Sequence, residues 1–334
     1  MDFLPDADQD ALVDATRQYI QSRLPLADSL ARLDDLRWKE ITELGWLGLA
    51  TDEEAGGAGA TLLDEVFVFR EIGRGLVPGP LLTTLAAARL AAWTGQITLS
   101  TELIGGQSRV ARAVPLPGVN DRLLVLDAEE SALVLVVDDD RAALYTAPQC
   151  VEPSAGLEDG TSVGHASRAD LGPASAAADD GRTVGRLRRV LSILTSAQLA
   201  GICGATRDLA TEYAKTRVQF GKPIGAFQAI KHKCADMATH ALAADNVTFF
   251  AALTEMTGAP TSDYQALAAA ACCRRAAFAN ARANVQIHGA MGFTVEDSAH
   301  RFVKRTHTLS ATETFDRPAE LLGGLPCVET SEEA

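Results

Sequence analysis

The hydrophobic period of this chain changes twice along its length, and each change separates one kind of packing from another. From residue 8 to about 95 apolar residues recur at three and four, in ALVDATRQYIQSRL (11–24), WKEITELGWLGLA (38–50) and LLDEVFVFREIGRGL (62–76), the spacing of helices that bury one face. TDEEAGGAGAT (51–61) between the last two reads as a loop built on Gly56, Gly57 and Gly59, and Pro78 and Pro80 close one helix before LLTTLAAARLAAWTG (81–95) opens another. From about 105 to 183 the period falls to two. SRVARAVPL, DRLLVLD, SALVLVVDDD and RAALYTA are short strand-like runs parted by acidic turns, expected to pair antiparallel, with DAEES (127–131) as a hairpin connection and ADLGPASAAADDGR (169–182) as a loose linker. From 184 to about 310 the helical period returns. Val190, Leu191, Leu194, Ala197, Gln198 and Gly201 form one face of a helix running to about Thr216, Phe227, Ile230, Cys234, Met237 and Leu242 mark a second helix, and Tyr264, Leu267, Ala271, Arg275 and Phe278 a third. Ala and Gly on such faces let helices pack closely into a bundle.

The expected fold is mostly α with a small β domain: an N-terminal helical domain (1–104), a reduced middle β domain (105–183) and a C-terminal helical bundle (184–334). A chain of 334 residues exceeds the ~250–300 at which one core stops growing, so several packed units are expected. Thirty Lys plus Arg against 44 Asp plus Glu give a net charge of −14, which repels phosphate backbones and anionic lipid, so neither nucleic acid nor a membrane surface is an expected partner. The acidic start MDFLPDADQD lacks the basic flank and apolar core of a signal peptide, and no apolar run reaches the ~18 residues of a membrane span; the expected location is the cytoplasm. Cys150, Cys203, Cys234, Cys272, Cys273 and Cys327 are scattered without metal-ligand spacing and read as small core residues, and no metal site is expected.

Two segments carry chemistry. In Tyr213–Ile230 a helix ends near Arg217, glycines and Pro223 make a tight connection, and a new helix begins near Ala226 with Phe227 and Gln228 in its first turn. An anion here would meet Arg217, backbone amides and the positive end of the second helix; on residue chemistry alone, the segment is equally an ordinary interhelical turn with a solvated arginine. In Gln286–Glu296, Gly289 and Gly292 permit close approach where a helix ends, and His288 reads as a hydrogen-bonded structural histidine.

The run from Arg217 through Phe220, Gly221, Pro223, Ile224, Phe227, Gln228 and Ile230, followed about seventy residues on by Gln286, Gly289, Gly292, Phe293 and Thr294, resembles the acyl-CoA dehydrogenase signature. GWLGLATDEEAGGAG (45–59) resembles the family's N-terminal loop, and the helical, β, helical order is its architecture. The resemblance implies FAD as cofactor: Arg217 binding the pyrophosphate, Phe220 and Gln228 the adenosine or pyrophosphate half, Gly221 and Phe227 belonging to the same turn, and Gln286, Gly289 and Ala290 lining the cofactor from the other side. It further implies that these contacts reach a flavin seated in a neighbouring subunit. The implied reaction forms an α,β double bond in an acyl-CoA thioester. A glutamate takes the α proton, hydride passes to the flavin, and electrons leave to an electron-transferring flavoprotein.

The family's usual base lies 27 positions after the residue equivalent to Gln286, which is Glu313, although Ser310–Phe315 lacks the flanking Tyr and Gly; the rarer alternative position is Leu191, which is no acid. Nothing between 105 and 183 matches the middle-domain motif that seats the flavin ring and acyl-CoA. A chain that keeps the grip on a neighbour's cofactor and lacks the seat for its own resembles the short subunit of heteromeric (α2β2) bacterial acyl-CoA dehydrogenases. The expected function is therefore such a subunit, paired with a related chain and acting on a bulky, steroid-derived acyl-CoA. A self-sufficient homomer with Glu313 as base, and an inert scaffold subunit, are the alternatives.

Overall fold

The computed structural model describes residues 5–26, 32–116, 121–148 and 153–312. Five helices lead: α1 (Ala7–Arg23), α2 (Asp35–Glu43), α3 (Leu62–Arg74), α4 (Leu81–Trp93) and α5 (Ile97–Ile104). Their starts are written in the sequence. Asp6 with Gln9, and Thr61 with Asp64, form reciprocal capping boxes that satisfy the first amides of α1 and α3. GWLGLA, expected to continue a helix, is instead a run of turns beyond α2, because Gly45 takes a positive φ of 77° and breaks it. Glu65 on α3 is buried and ion-paired with buried Arg89 on α4 (2.6 Å), and its other oxygen accepts from the Ala50 amide (2.9 Å), so one carboxylate ties both helices to those turns.

The middle region is a seven-stranded sheet of β1 (Val110–Pro115), β2 (Arg122–Leu126), β3 (Leu133–Val137), β4 (Ala142–Thr146), β5 (Ser154–Ala155), β6 (Ser162–Ser167) and β7 (Ala174–Ala178), in the order β5-β6-β2-β1-β3-β4-β7. DAEES is not a hairpin turn. It carries the chain across β1, which pairs antiparallel with β2 and parallel with β3, Val110 facing Leu133 and Ala113 facing Val136. The supposed linker at 169–182 contains β7, an edge strand on β4. Its alanines gave no β-branched signal, and pairing supplied the strand.

The C-terminal part consists of α6 (Gly181–Thr216), the short hairpin β8 (Val218–Gln219) and β9 (Lys222–Pro223), α7 (Gln228–Met256), α8 (Ser262–His288) and α9 (Ala299–Thr312). Helix α6 is the hub. Its residues 190–203 are buried on every side, as befits a helix enclosed by α3, α4, α7, α8 and α9. It crosses α3 at two glycines: a Cβ on Gly73 would collide with the Gln198 carbonyl, and one on Gly201 with that of Arg70. The backbones therefore touch. The face of α8 that enters the core is Ala266, Ala269, Cys273, Ala277, Asn280 and Ala281, whereas Tyr264, Leu267, Ala271, Arg275 and Phe278, which mark the helix in the sequence, stay half-buried or exposed. Small residues, which periodicity weighs lightly, are what close packing selects. No described helix is long and apolar enough to cross a membrane.

Candidate functional site

Helix α6 stops at Thr216, and Arg217 caps it with its amide on the Tyr213 carbonyl (2.9 Å). The chain reverses through β8 and β9 about Phe220 and Gly221, both in left-handed conformations (φ 52° and 76°), which is the two-residue primed turn of a tight hairpin. Glycine takes this geometry freely. A phenylalanine does so under strain of order 1–3 kcal/mol, and here it places a ring that is 91% exposed at the hairpin tip. The Phe220 ring meets Phe227 edge-on at 6.1 Å, and Lys222 lies 4.5 Å from the Phe227 centroid. The Ile224 amide closes the loop on the Arg217 carbonyl (2.8 Å). The Arg217 side chain is exposed and its guanidinium makes no hydrogen bond or ion pair with any described residue. Phe227 occupies the N-cap of α7 and supplies no side-chain cap, leaving exposed Gln228 at an open, positively polarised helix start.

The second segment closes α8. Gln286 is exposed in its last turn, and Gly289 follows with φ 63° and ψ −138°, a combination essentially reserved to glycine. Exposed Ala290 and buried Gly292 sit in the 3-10 turn beyond, where a Cβ on Gly292 would press the Val285 carbonyl oxygen at 2.9 Å. His288 is structural, as its residue context suggests. Nδ1 carries a proton because it donates to the Asn284 carbonyl (2.9 Å), and the ring stacks on Tyr213 at 4.2 Å and 27°. That stack joins the end of α8 to the end of α6. Ala210, Ala214, Met237 and Ile287 complete a small core there, with Ile224 of the hairpin and Ile230 of α7 packed against it. The two segments thus meet at one end of the bundle, with Val218, Phe220, Met291, Phe293 (76% exposed) and Val295 (81%) projecting around them.

A separate cavity of about 90 Å³ opens between the helical parts and the sheet. Phe69 and Ile72 of α3, Leu81 of α4, Leu191, Thr195 and Gln198 of α6 form part of its wall, with Arg112, Asp127 and Glu158 from the sheet side and Arg305, Leu309 and Thr312 from α9. Arg305 is buried and bonded to Glu158. Glu313, the expected base, lies outside the described residues, but Thr312 immediately before it lines this cavity. Arg112, Glu158 and Arg305 were not singled out from the sequence. An arginine inside the apolar strand VARAV was a usable sign for Arg112; Glu158 and Arg305 lie 147 positions apart, and only the fold unites them.

This arrangement of N-terminal helices, central sheet and C-terminal bundle is the acyl-CoA dehydrogenase fold. Residues 6–97 match the family model "Acyl-CoA dehydrogenase, N-terminal domain" and residues 190–313 "Acyl-CoA dehydrogenase, C-terminal domain". The acyl-CoA dehydrogenase IpdE2 of Mycobacterium tuberculosis is 32% identical over 292 residues, covering 86% of this chain and 85% of that protein. Among solved structures, the ChsE4–ChsE5 complex from Mycobacterium tuberculosis is similar with a TM-score of 0.78 at 22% identity, covering 97% of each chain. A Tcur3481–Tcur3483 steroid ACAD variant gives 0.79 at 23%, covering 95% of this chain and 96% of that one. The chain belongs to the acyl-CoA dehydrogenase family and is an oxidoreductase of that class.

Proposed function

We propose that this chain is one subunit of an FAD-dependent acyl-CoA dehydrogenase that introduces an α,β double bond into a bulky, steroid-derived acyl-CoA, in an α2β2 complex with a related chain. The observation that carries the reading is the exposed end of the bundle. Of residues 228–240 only Met237 is buried, and beside this bare half of α7 stand unpartnered Arg217, the strained Phe220 tip, Gln228, Gln286, Gly289 and Ala290. Arginine, an uncapped helix start and side-chain-free backbone fit one side of a dinucleotide pyrophosphate. In this reading Arg217 and the α7 amides hold the phosphates, Phe220 and Phe227 shield the adenosine half, and Gln286, Gly289 and Ala290 close the opposite wall. The flavin, when bound, supplies the hydride acceptor, and an electron-transferring flavoprotein collects the electrons. In the homomeric alternative below, the cavity between α3, α6, α9 and the sheet takes the acyl group, its Phe69, Ile72 and Leu191 walls excluding water so that the α proton is lost to a poorly solvated base. The steroid-derived substrate and the unlike partner are supported by likeness to the steroid ACAD and the ChsE4–ChsE5 complex.

A second reading, a homomer that uses its own Glu313, is favoured by Thr312 lining the cavity. Co-expression with a related acyl-CoA dehydrogenase chain separates them. The heteromer predicts a yellow complex with fewer flavins than chains, and Arg217→Ala lowers its flavin content at least tenfold. One flavin per chain in a pure homomer, with activity abolished by Glu313→Gln, overturns it in favour of the second reading. Flavin content unmoved by Arg217→Ala means an inert scaffold.

A further inference from the structure

The exposed end of the bundle carries charge opposite in sign to the chain as a whole. Against a net charge of −14, residues 215–233 hold Lys215, Arg217, Lys222, Lys231 and Lys233 and no Asp or Glu. Lys215 is neutralised by Glu212 (2.6 Å). Arg217, Lys222, Lys231 and Lys233 are exposed and make no ion pair with any described residue. Arg282, exposed on α8 one turn before Gln286, likewise has none, its guanidinium lying 5.5 Å from the Phe278 centroid. Asp236 and Glu296, the exposed acids of these segments, pair with none of them. A pyrophosphate on Arg217 and the α7 amides leaves Lys231, Lys233 and Arg282 without a counter-charge. The lysines also begin a longer feature. Lys231, Ala235, Ala238 and Leu242 recur at four, three and four, so they share one face of α7, and all are exposed, Leu242 by 63%. A cation at one end, alanines that admit a close neighbour and a large apolar side chain about 16 Å further along the axis are the parts of a protein interface rather than of a cofactor wall.

Resting on the subunit reading above, we infer that this face of α7, together with Arg282, docks the unlike subunit, and that the surface that subunit brings is acidic. It sets carboxylates opposite Lys231, Lys233 and Arg282 and an apolar patch opposite Leu242. Nucleotide phosphates meet the start of α7 alone, and Leu242 offers them nothing. Net charge and local charge act in opposite directions here, and salt tells them apart. Two acidic chains repel at long range, so screening speeds their encounter; a basic patch meeting an acidic one attracts, so screening slows it. At ~0.1 M salt the Debye length is about 10 Å, distant acids are screened, and the local match wins. Exposed cations of this kind set encounter rate and partner choice more than total affinity, and a partner with Lys or Arg in the apposed positions is rejected.

The test mixes the full chain with a separately expressed related acyl-CoA dehydrogenase chain and follows assembly by stopped-flow anisotropy of a labelled partner, from about 50 to about 500 mM NaCl. The wild type is expected to associate about tenfold or more slowly at the high-salt end. Lys231→Glu/Lys233→Glu, with its melting temperature recorded, associates about tenfold or more slowly at low salt and loses the salt dependence, whereas Lys231→Arg/Lys233→Arg behaves as wild type. Arg282→Glu, on the other helix, gives an independent loss of the same kind. Association that quickens with salt, or charge reversals that leave the rate unchanged, overturn the inference. So does a double variant that assembles normally but releases flavin, which assigns the lysines to the cofactor phosphates, and so does the same salt-sensitive assembly of this chain with itself. A complex that assembles as expected but oxidises no acyl-CoA sinks the dehydrogenase reading alone, whereas an active heteromer indifferent to salt and charge reversal sinks the acidic partner surface alone.

Discussion

Asp208 shows how a single carboxylate can bind two parts of this molecule and make the union sensitive to acid. It lies on α6 and is bonded both by Arg74 of α3 and by Arg207 beside it (2.7 Å). Burial alone would push its pKa up, but hydrogen bonds from Arg207 and Arg74 outweigh that and hold it below the ordinary value of 3.8. A depressed pKa means the folded state binds the proton less readily than the unfolded chain. The stabilisation is thus complete above 3.8 and is lost as pH falls through the lower folded value. Asp208→Asn is expected to be less stable than wild type at pH 7 by about 1 kcal/mol or less, since the group is partly solvated and screened, and the gap should close below about pH 4. Urea titrations at pH 3, 4, 5 and 7 read this directly; a gap that widens in acid would refute it. At this scale the sequence was informative only where residue type and spacing act together. Arg217, Phe220 and Gln286 stand in a pattern, while Glu158 and Arg305 look like ordinary surface charges until the fold buries them together.

Helices were easier to read than strand partners. The boundaries of α1, α3, α4 and α6 follow from capping residues, prolines and apolar spacing, all of which act within a few positions. Strand neighbours are decided by tertiary pairing, so β2 and β3 look like a hairpin in sequence although β1 separates them in the sheet. The crossing of α3 and α6 is another long-range feature with a local trace, two glycines inside helices where glycine is otherwise unfavourable by about 1 kcal/mol relative to alanine. Propensity favours Gly201→Ala, and packing opposes it. The added methyl would strike the Arg70 carbonyl and approach the Arg74 amide within 2.8 Å, and neither backbone can move without parting the helices. Packing should win, because overfilling a tight core costs about 1–3 kcal/mol or more. Gly201→Ala is expected to lower the urea midpoint with an unchanged slope, and Gly204→Ala, whose nearest neighbour is the flexible end of Arg74 at 3.1 Å, should be far milder. A stabilised Gly201→Ala would show that the two helices do not touch there.

Taken as a whole, the chain distributes its apolar surface unevenly. The side of the bundle facing the sheet and N-terminal helices is closed by continuous cores, whereas the outer face of α7 leaves Leu242 63% exposed at mid-helix, and Phe293 and Val295 are bare beyond α8. Large apolar side chains left open along an outer face are what a covering surface would bury. Because Leu242 carries little of the chain's own core, Leu242→Asp should change the stability of the isolated chain by no more than about 0.5 kcal/mol, the usual range for exposed positions. In an assembly that buries this face the same substitution places an unpaired charge in an apolar contact, which is strongly unfavourable. Native mass measurement of the co-expressed chains should therefore show wild type in the assembled form and Leu242→Asp largely dissociated, with matching melting curves for the two free chains. Assembly that tolerates the aspartate would mean that α7 faces solvent in the complex and that the partner docks elsewhere, in which case Arg217 and Phe220 could not reach a neighbour's cofactor.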